Sequence, residues 1–558
     1  MQRQRSFLTA LLGALLLLAC TLQAAERPGA SAIATAHPAA TVAGRETLVL
    51  GGNAFDAAVA ISAALAVVEP YGSGLGGGGF FLLREGDANY HFLDARERAP
   101  NAAHADLYRK NGEVQRELSL NGALAAAIPG LPAALVELAE KYGKLPLRDS
   151  LAPAIRLARE GFPVDRVYRQ RAEMRLAAMR DDAETARLFL TAGEVPEQGT
   201  LLRQPELADT LTQLAQQGRA GFYQGPLAER LVEGVSAAGG IWSLKDLADY
   251  QVAWREPLRV PLAEGRELIS APPPSAGGLA LAQSLLILQH QPWRQGDAVQ
   301  RAHLVSETLR RVYRDRGLLG DPDFVDNPLS ALLAPDYLVR LASSIDPQRA
   351  TPSSELPPAG TWKEGDHTTH FSVLDAEGNA VAATLSINLP FGAAFTVPGT
   401  GVLLNDEMDD FAADPGGSNA YGLSGSHANA VAAGKRPLSS MSPTFIDSQD
   451  ELTSFGTPGG SRIPSMVLLS ILQYLDEQPI ERWPAVPRYH HQYLPDVIEH
   501  EPDTFSPQQI SALQARGHTL KPLDSPYGNQ QVLRWNKRDG KVEAASDPRG
   551  IGSSDVTR

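Results

Sequence analysis

Cysteine is almost absent from this chain of 558 residues, in which the only example is Cys20, near the N-terminus. Without a second cysteine there is no internal disulfide, and the chain after Cys20 has neither a thiolate nucleophile nor cysteine metal ligands. Basic residues are also in the minority, since 50 lysines and arginines face 64 aspartates and glutamates and the formal net charge is −14. An acidic chain without basic clusters argues against nucleic acid as a partner and favours a small molecule.

Several familiar catalytic signatures are missing too. The chain has no G-x-S-x-G nucleophile elbow and no H-E-x-x-H zinc motif. His490, His491 and His500 lie close together in sequence. Neighbouring histidines on a strand or helix point in different directions, so we predict no metal site from them and no cofactor elsewhere.

A glycine-rich segment matches G-x-G-x-x-G at Gly72, Gly74 and Gly77. A dinucleotide site requires the order strand, glycine loop, helix. Here a predicted helix precedes the glycines and a predicted strand, residues 80–83, follows them. We therefore interpret the segment as a place where backbones pack closely, which only glycine allows.

The first 25 residues are typical of an export signal. Arg3 and Arg5 precede an apolar run over residues 8–19, which is too short to span a bilayer with ordinary flanks. Removal of residues 1–25 leaves a periplasmic or secreted chain of net charge −16. The Leu-Leu-Ala-Cys sequence at residues 17–20 also resembles a lipoprotein processing site, so soluble release and a lipid anchor at Cys20 are both open.

Hydrophobic periodicity predicts a layered α/β protein. Asn53 caps a helix that runs to about Val68 and is apolar on all faces. Helical patterns dominate residues 125–349, and strand patterns become dense after residue 368, at 371–374, 380–387, 401–404 and 451–455, before a helix at 464–475. The alternation predicts sheets enclosed between helices, in three domains or in one large layered unit.

The segment GDHTTHFSVLD, from Gly365, leads two threonines into one of these strands. Thr368 and Thr369 are either ordinary strand residues or carriers of chemistry. A threonine hydroxyl is a poor nucleophile without a base, and a free α-amino group on the same residue, with a pKa of about 7.7 to 8.0, can act as that base. Such chemistry requires that the chain be cut immediately before the threonine.

Several motifs in order give the sequence a family resemblance. They are GGNAFDAAVA from Gly51, DARERAP from Asp94, PPPSAGG from Pro272, THFSVLDAEGNAVAATLSIN from Thr369, LNDEMDDF from Leu404, KRPLSSMSPT from Lys435, GTPGGSRI from Gly456 and PRYHHQYLPD from Pro487. The chain resembles the γ-glutamyltransferases (γ-glutamyl transpeptidases), within the N-terminal nucleophile hydrolases. The resemblance implies a four-layer αββα sandwich formed jointly by two subunits.

The same resemblance implies self-cleavage between His367 and Thr368, which gives a large subunit, residues 26–367, and a small subunit, residues 368–558. The Thr368 hydroxyl would then attack the γ-carbonyl of a γ-glutamyl donor such as glutathione while its own amine takes the proton. The resulting ester would pass the glutamyl group to an amino acid, a dipeptide or water.

Family positions imply roles for other residues around Thr368. Thr369 and Ser386 would support the nucleophile, and Gly459 and Gly460 would form the oxyanion hole. Ser386 is otherwise an ordinary strand hydroxyl, and the two glycines are otherwise a tight turn. For Ser386 and for the two glycines, the sequence alone leaves both interpretations open.

The resemblance also implies a pocket for the zwitterionic end of the donor. Arg96, with Ser439 and Ser440, would bind the α-carboxylate, for which a planar guanidinium is suited. The α-amino group would be held by Asn388, Glu407 and Asp410. Their acidic run is alternatively a solvated loop or a calcium site. Tyr421, in a glycine-rich segment over residues 415–435, corresponds to a lid.

Two features depart from the family pattern. Asp406 stands where an asparagine is commoner, and Leu389 and Pro390 follow Asn388 where some relatives have two threonines. These differences put the donor range in doubt. The alternatives are therefore a glutaryl (cephalosporin) acylase of the same fold and a binding protein that has kept the fold without catalysis.

Overall fold

The computed structural model describes residues 27–356, 368–412 and 426–558. The predicted export signal with Cys20, His367 at the predicted cleavage site and Tyr421 of the predicted lid all lie outside the described residues. In the described part of the chain, no helix is both long enough and apolar enough to cross a membrane.

The first of two large sheets has seven antiparallel strands and includes chain from both sides of the predicted cleavage site. Its third strand, Thr368–Leu374, lies between Ser31–Thr35 and Ala380–Ser386 and is referred to as the central strand. The order across the sheet is Ser553–Thr557, Ser31–Thr35, Thr368–Leu374, Ala380–Ser386, Gly78–Arg84, Tyr90–Ala95 and Ala253–Arg255. The two predicted subunits thus share one continuous hydrogen-bonded sheet.

The second sheet has six antiparallel strands. Its order is Val542–Ser546, Gln531–Asn536, Glu451–Phe455, Thr444–Asp447, Glu267–Ser270 and Leu258–Pro261. It also combines chain from before and after residue 368.

The two sheets pack face to face. Successive side chains of a strand point to opposite faces, so one set of apolar side chains fills the space between the sheets and the other set faces the helices. In Gly78–Arg84, Phe80 and Leu82 belong to the core that contains the second sheet. Phe81 and Leu83 belong to the core on the opposite face, among helices. A strand that is apolar on both faces is buried on both, which is the condition of an inner layer.

Helices form the two outer layers. On the seven-stranded sheet the longer ones are Pro38–Val49, Ala54–Val68, Leu131–Lys141, Leu147–Glu160, Arg166–Asp181, Pro205–Gln217 and Gly225–Ala237. On the six-stranded sheet they are Gly277–Gln289, Ala298–Arg316, Pro335–Ser343 and Ile463–Leu475. The predicted α/β, four-layer αββα architecture is confirmed.

Helix Ala54–Val68 shows why the sequence folds in this way. Asn53 caps it through hydrogen bonds with the N–H groups of Phe55 and Asp56, and Asp56 returns a bond to the Asn53 N–H, as predicted. All 15 helical residues are buried, because the helix lies between the sheet and the other helices. Its apolar character on every face follows from that central place.

The sequence predicted four of the thirteen strands in these two sheets and missed nine, among them Ala253–Arg255, Leu258–Pro261 and Glu267–Ser270. The first two form the outer edges of the two sheets. Edge strands face solvent and carry charged or proline residues, so they lack the alternating apolar pattern that marks an inner strand.

Candidate active site

Thr368 is the first residue of the central strand, and Ser386 lies opposite it on the neighbouring strand. Its Oγ1 atom is buried and has no hydrogen-bond partner among the described residues. Thr368 lines a cavity of about 640 Å³ together with Thr369 and Gly459. A buried hydroxyl without a partner, facing a cavity, is placed to meet a reacting group rather than to stabilise the fold.

Thr369 is tied to a buried carboxyl group that sequence analysis missed. Its Oγ1 donates to Glu69 Oε2 at 2.7 Å, and the Tyr71 hydroxyl donates to Glu69 Oε1 at 3.1 Å. Burial raises the pKa of Glu69, although the two hydrogen bonds and the charge of His37 oppose that rise. Glu69 directly follows the apolar helix Ala54–Val68. An acidic residue in that position is the sequence feature that could have identified it.

Ser386 shapes the turn that follows its strand. Its Oγ accepts a hydrogen bond from the N–H of Asn388 at 2.8 Å. Asn388 has φ of 72° and donates from Nδ2 to the carbonyl of Asp406 at 2.9 Å. Ser386 is therefore more than a strand hydroxyl, since it fixes the backbone conformation that directs Asn388 towards the acidic segment.

The two departures from the family pattern contact each other. Asp406 Oδ1 accepts a hydrogen bond from the N–H of Leu389 at 2.9 Å. Asp406 is fully buried, and burial raises its pKa well above the usual range, although the positive charge of Arg175 opposes this. The other oxygen, Asp406 Oδ2, is buried and has no hydrogen-bond partner among the described residues.

Arg96 lies at the end of strand Tyr90–Ala95 and is almost completely buried. Its guanidinium donates from Nη1 to Glu407 Oε1 and from Nη2 to Asp410 Oδ2. Nε donates to the carbonyl of Pro437 at 3.2 Å. The structure thus brings together three of the predicted donor-binding residues.

Three carboxyl groups, those of Glu97, Glu407 and Asp410, face the Arg96 guanidinium, and the charge of Arg316 also acts on Asp410. Burial raises the pKa of Glu407 to about 7 and raises that of Asp410, with the charge of Arg96 opposing both shifts. Burial and the charge of Glu407 raise the pKa of Glu97 well above its usual range. Burial thus favours the protonated forms of these carboxyl groups, whereas the charge of Arg96 favours their ionised forms.

Glu407 and Asp410 each have one carboxylate oxygen that lacks a hydrogen-bond donor among the described residues. Glu407 Oε2 and Asp410 Oδ1 are buried and accept no hydrogen bond in the described parts of the chain. Buried carboxylate oxygens without donors are unfavourable unless a ligand supplies them. An ammonium group offers three N–H donors and one positive charge, which fits both oxygens.

The two predicted serines lie beside this pocket, together with an arginine that the sequence did not single out. Ser439 Oγ accepts from the N–H of Met441 at 3.1 Å, and Ser440 Oγ accepts from Arg316 Nε at 3.3 Å. Burial lowers the pKa of Arg316 to about 9, against the charge of Asp410. Helix Ala298–Arg316 buries charged residues along with apolar ones, so an apolar stripe does not identify its inner face.

Gly459 and Gly460 begin the turn that leads into helix Ile463–Leu475. Their φ angles are 140° and 53°, in the region that side chains disfavour. A Cβ atom on Gly459 would lie 2.4 Å from Cε of Met466. The turn and the oxyanion-hole interpretations are thus compatible, because a tight glycine turn lies at the cavity that contains Thr368.

The glycine-rich segment before residue 80 brings two parts of the site together. A Cβ on Gly77 would lie 2.2 Å from the carbonyl oxygen of Ser386, and one on Gly78 would lie 2.3 Å from that of Ala95. The structure agrees with the close-packing interpretation. Without side chains here, the strands that end at Ser386 and Ala95 can approach strand Gly78–Arg84 from its two sides.

The side chains of the adjacent residues His490 and His491 point in different directions, as expected. His490 Nδ1 lies 2.9 Å from Ser465 Oγ, whereas His491 Nε2 lies 3.2 Å from Asp496 Oδ1. Burial lowers the pKa of His490 to about 3 and that of His491 to about 4. Both rings are neutral parts of the core.

Two antiparallel sheets between helical layers, with a threonine at the head of a central strand, define the class of N-terminal nucleophile hydrolases. Comparison with known proteins agrees. The sequence profile of the Gamma-glutamyltranspeptidase family matches residues 40–557. The chain belongs to the γ-glutamyltranspeptidase family.

Individual relatives support this assignment. The chain is 41% identical over 523 residues to the glutathione hydrolase proenzyme of Pseudomonas aeruginosa, covering 91% of each chain. It is 38% identical to the glutathione hydrolase proenzyme of Escherichia coli over 531 residues, 93% of this chain and 90% of that one.

Solved structures resemble the fold as well. Cephalosporin acylase from Bacillus halodurans superposes with a TM-score of 0.84 at 27% identity, over 96% of this chain and 97% of that one. γ-Glutamyltranspeptidase from Helicobacter pylori gives 0.56 at 36% identity, over 58% of this chain and 93% of that one.

Proposed function

We propose that the protein is a γ-glutamyltransferase and glutathione hydrolase, made as a proenzyme that cleaves itself before Thr368. The Thr368 hydroxyl attacks the carbonyl carbon of His367, and the peptide nitrogen leaves as the amine of Thr368. Water then hydrolyses the ester. The products are a carboxylate on residue 367 and a free α-amino group on Thr368, in subunits of residues 26–367 and 368–558.

The freed amine acts as the base in the transfer reaction. It takes the proton of Oγ1 as this oxygen attacks the γ-carbonyl of the donor, and it passes that proton to the departing amine. Backbone N–H groups at Gly459 and Gly460 stabilise the developing oxyanion. An amino acid, a dipeptide or water then attacks the γ-glutamyl ester and restores Thr368.

The zwitterionic end of the donor binds at Arg96. The guanidinium pairs with the α-carboxylate, while Glu407 and Asp410 turn their spare oxygens to the α-ammonium, beside Asn388. Ser439 and Ser440 complete the polar wall. The pocket binds an ammonium group and a carboxylate group of the ligand at a fixed separation. It therefore selects donors with an α-amino acid end over donors with a simple acid end.

The observation that carries this proposal is the buried, unpartnered Oγ1 of Thr368 at the head of the central strand. Denaturing electrophoresis of the purified protein should show two fragments, and N-terminal sequencing of the smaller one should begin at Thr368. Thr368→Ala should remain one inactive chain, because both the attacking hydroxyl and the new amine are lost. A Thr368→Ala protein that still splits at this bond contradicts self-cleavage.

A second candidate is a glutaryl acylase, which the similarity to the Bacillus halodurans cephalosporin acylase favours. A glutaryl group is a γ-glutamyl group without its α-amino group, so the two anilides form a matched pair of substrates. The spare carboxylate oxygens of Glu407 and Asp410 predict preference for the γ-glutamyl anilide. Equal or faster release of the glutaryl anilide assigns the acylase activity instead.

Export and anchoring complete the proposal. Residues 1–25 direct the chain out of the cytoplasm and are removed, which leaves a soluble periplasmic or secreted enzyme. Intact-mass measurement of the large subunit from the native host separates this from the lipid-anchored alternative. A mature chain that begins at a diacylated Cys20 supports the anchor.

A further inference from the structure

The central strand Thr368–Leu374 has a neighbour on only one side at its start. Strand Ala380–Ser386 pairs with it from Thr368 onward, whereas strand Ser31–Thr35 pairs with it only from Phe371 onward. Its first three residues therefore extend beyond the strand on that side. Self-cleavage also turns the first of them into a chain end, and chain ends fray unless other contacts hold them. The nucleophile thus needs a support that strand pairing does not supply.

Glu69 supplies such a support through the side chain of Thr369. The Thr369 hydroxyl donates to Glu69 Oε2 at 2.7 Å, and both residues are buried. The other carboxyl oxygen, Oε1, accepts from the Tyr71 hydroxyl at 3.1 Å. Breaking a buried hydrogen bond of this kind leaves polar atoms without a partner or water, which is unfavourable. Thr369 is thereby held in place one residue from the nucleophile.

The turn that follows Glu69 packs against the same end of the strand. The N–H groups of Gly72 and Ser73 both donate to the Glu69 carbonyl, at 2.8 Å and 3.1 Å. A Cβ atom on Gly72 would lie 3.4 Å from the carbonyl oxygen of Thr368 and 3.6 Å from Cβ of Thr369. Glu69 therefore contacts the start of the strand through its side chain and through the turn that it begins.

Glu69 has no described contact with the reacting hydroxyl itself. Successive side chains of a strand point to opposite faces, so Thr369 and Thr368 direct their side chains to different sides of the sheet. Oγ1 of Thr368 has no hydrogen-bond partner among the described residues, whereas both carboxyl oxygens of Glu69 accept from other hydroxyl groups. The described contacts thus connect Glu69 with the nucleophile through Thr369 and the backbone.

We propose that Glu69 is a positioning residue that holds the start of the central strand through Thr369, so that the Thr368 hydroxyl keeps its place at the cavity after the chain has been cut. This inference rests on the proposed function, because it concerns a nucleophile that is also a chain end. Glu69 neither forms a bond to the donor nor holds its glutamyl end. Its loss should therefore slow the acylation of Thr368 and leave donor binding almost unchanged.

A double-mutant cycle tests the proposal. Thr369→Val removes the hydroxyl and keeps the shape of the side chain, and Glu69→Ala removes the acceptor. Each should lower the rate constant for acylation, measured as the burst of nitroaniline from γ-glutamyl nitroanilide, by about 10- to 100-fold. The donor concentration that half-saturates this burst should change by less than about twofold. The double variant should be no more than about threefold slower than either single variant, because both substitutions remove the same hydrogen bond.

Two conservative variants and one control separate positioning from general damage to the fold. Thr369→Ser keeps the hydroxyl, and Glu69→Gln keeps a side chain that can accept from one hydroxyl and donate to the other. Both should retain the acylation rate constant to within about threefold. Val67→Ala is the matched control, because Val67 is fully buried at the end of the helix that leads into Glu69 and does not line the cavity. It should lower the Tm and change the acylation rate constant by less than about twofold.

The outcomes separate this inference from the proposed function. Additive losses in the double variant, or a loss in Val67→Ala as large as that in Glu69→Ala, overturn the positioning role while the enzyme stays a γ-glutamyltransferase. A wild-type protein that is cleaved yet releases no nitroaniline contradicts the proposed function itself.

Self-cleavage provides a second measurement if Glu69→Ala or Thr369→Val is not cleaved, since the same hydroxyl attacks in that step. Cleavage that is restored in Glu69→Gln and Thr369→Ser supports the proposal. Cleavage that fails in these two variants as well overturns it.

Discussion

Two arginines of the candidate site, Arg96 and Arg166, lie in opposite environments. Arg96 is almost inaccessible and is paired with Glu407 and Asp410. Arg166 is exposed and bound only to backbone carbonyls in the described structure. A buried guanidinium between carboxylates recognises a partner of matching shape and charge, whereas an exposed one attracts any anion that fits.

This contrast explains how one enzyme can be selective for the glutamyl end of its donor and tolerant of the groups that leave or enter. The glutamyl end of every donor is the same, so a closed pocket with fixed charges on both sides suits it. The leaving and entering groups vary, and an exposed surface accepts many of them. Substitutions in the closed pocket should therefore have the larger consequences.

The largest effect is expected from Arg96→Ala. Loss of the carboxylate partner should lower kcat/KM for γ-glutamyl anilide by about 100-fold or more. The variant should also lose about 3 to 5 kcal/mol in free energy of unfolding, because two buried carboxylates lose their cation. Steady-state kinetics and denaturant unfolding measure the two losses.

Arg96→Lys is the control for charge alone. An ammonium restores the charge without the two-pronged geometry, so activity should recover only in part. Cleavage before Thr368 should continue in both variants if they fold, since no glutamyl group takes part in it. Equal loss of activity on a donor that lacks the α-carboxylate would make Arg96 a structural residue.

A smaller effect is expected where the pocket recognises the ammonium group. Glu407→Gln keeps the size of the side chain and a bond acceptor but removes a charge. The preference for γ-glutamyl over glutaryl anilide should therefore fall by about tenfold. Asp409→Asn is the control, since Asp409 pairs with Arg116 and not with Arg96. If the preference does not change in Glu407→Gln, the ammonium is held elsewhere.

The pH dependence of donor binding should follow Glu407, whose pKa burial raises to about 7. As the pH falls through 7, Glu407 takes up a proton and loses its attraction for the ammonium, so KM should rise on the acid side. The Thr368 amine should affect kcat instead, since a free α-amino group ordinarily has a pKa of about 7.7 to 8.0. Glu407→Gln should flatten the KM profile between pH 6 and 8 and leave the kcat profile unchanged. A KM profile that is unaffected by the substitution contradicts the assignment.

Salt should have the smallest effect. Raising the ionic strength from about 0.05 to 0.5 M should change the discrimination for the donor α-carboxylate at Arg96 little, since buried charge pairs are screened less than exposed ones. A large loss of that discrimination in steady-state kinetics at high salt would contradict a closed Arg96 pocket.

The sequence predicted those parts of the molecule that local patterns encode. Apolar patterns marked four of the inner strands, and the Asn53 cap marked the helix packed on the seven-stranded sheet. The predicted strands are Gly78–Arg84, Thr368–Leu374, Ala380–Ser386 and Glu451–Phe455. Thr368 and Arg96 were found because they lie in short, distinctive motifs. In each case the information lies within about ten neighbouring residues.

The features that were missed depend on contacts between distant segments. Glu69 acquires its role from Thr369, which is 300 residues away in the chain. Arg316 lies beside Ser440 only because helix Ala298–Arg316 packs against the segment that carries Ser440. Arg166 looks like any charged residue on a surface helix until the fold places it in the wall of the cavity that Gly459 also lines. No local pattern carries these relations.

Covalent labelling of Thr368 tests the central claim most directly. A glutamine analogue with a diazoketone in place of the side-chain amide should enter the Arg96 pocket and alkylate the nucleophile. We predict one adduct, located by tandem mass spectrometry on Oγ1 of an N-terminal Thr368, and its absence in Arg96→Ala. An adduct on another residue, or a labelled fragment that does not begin at Thr368, would contradict the assignment of Thr368 as the nucleophile.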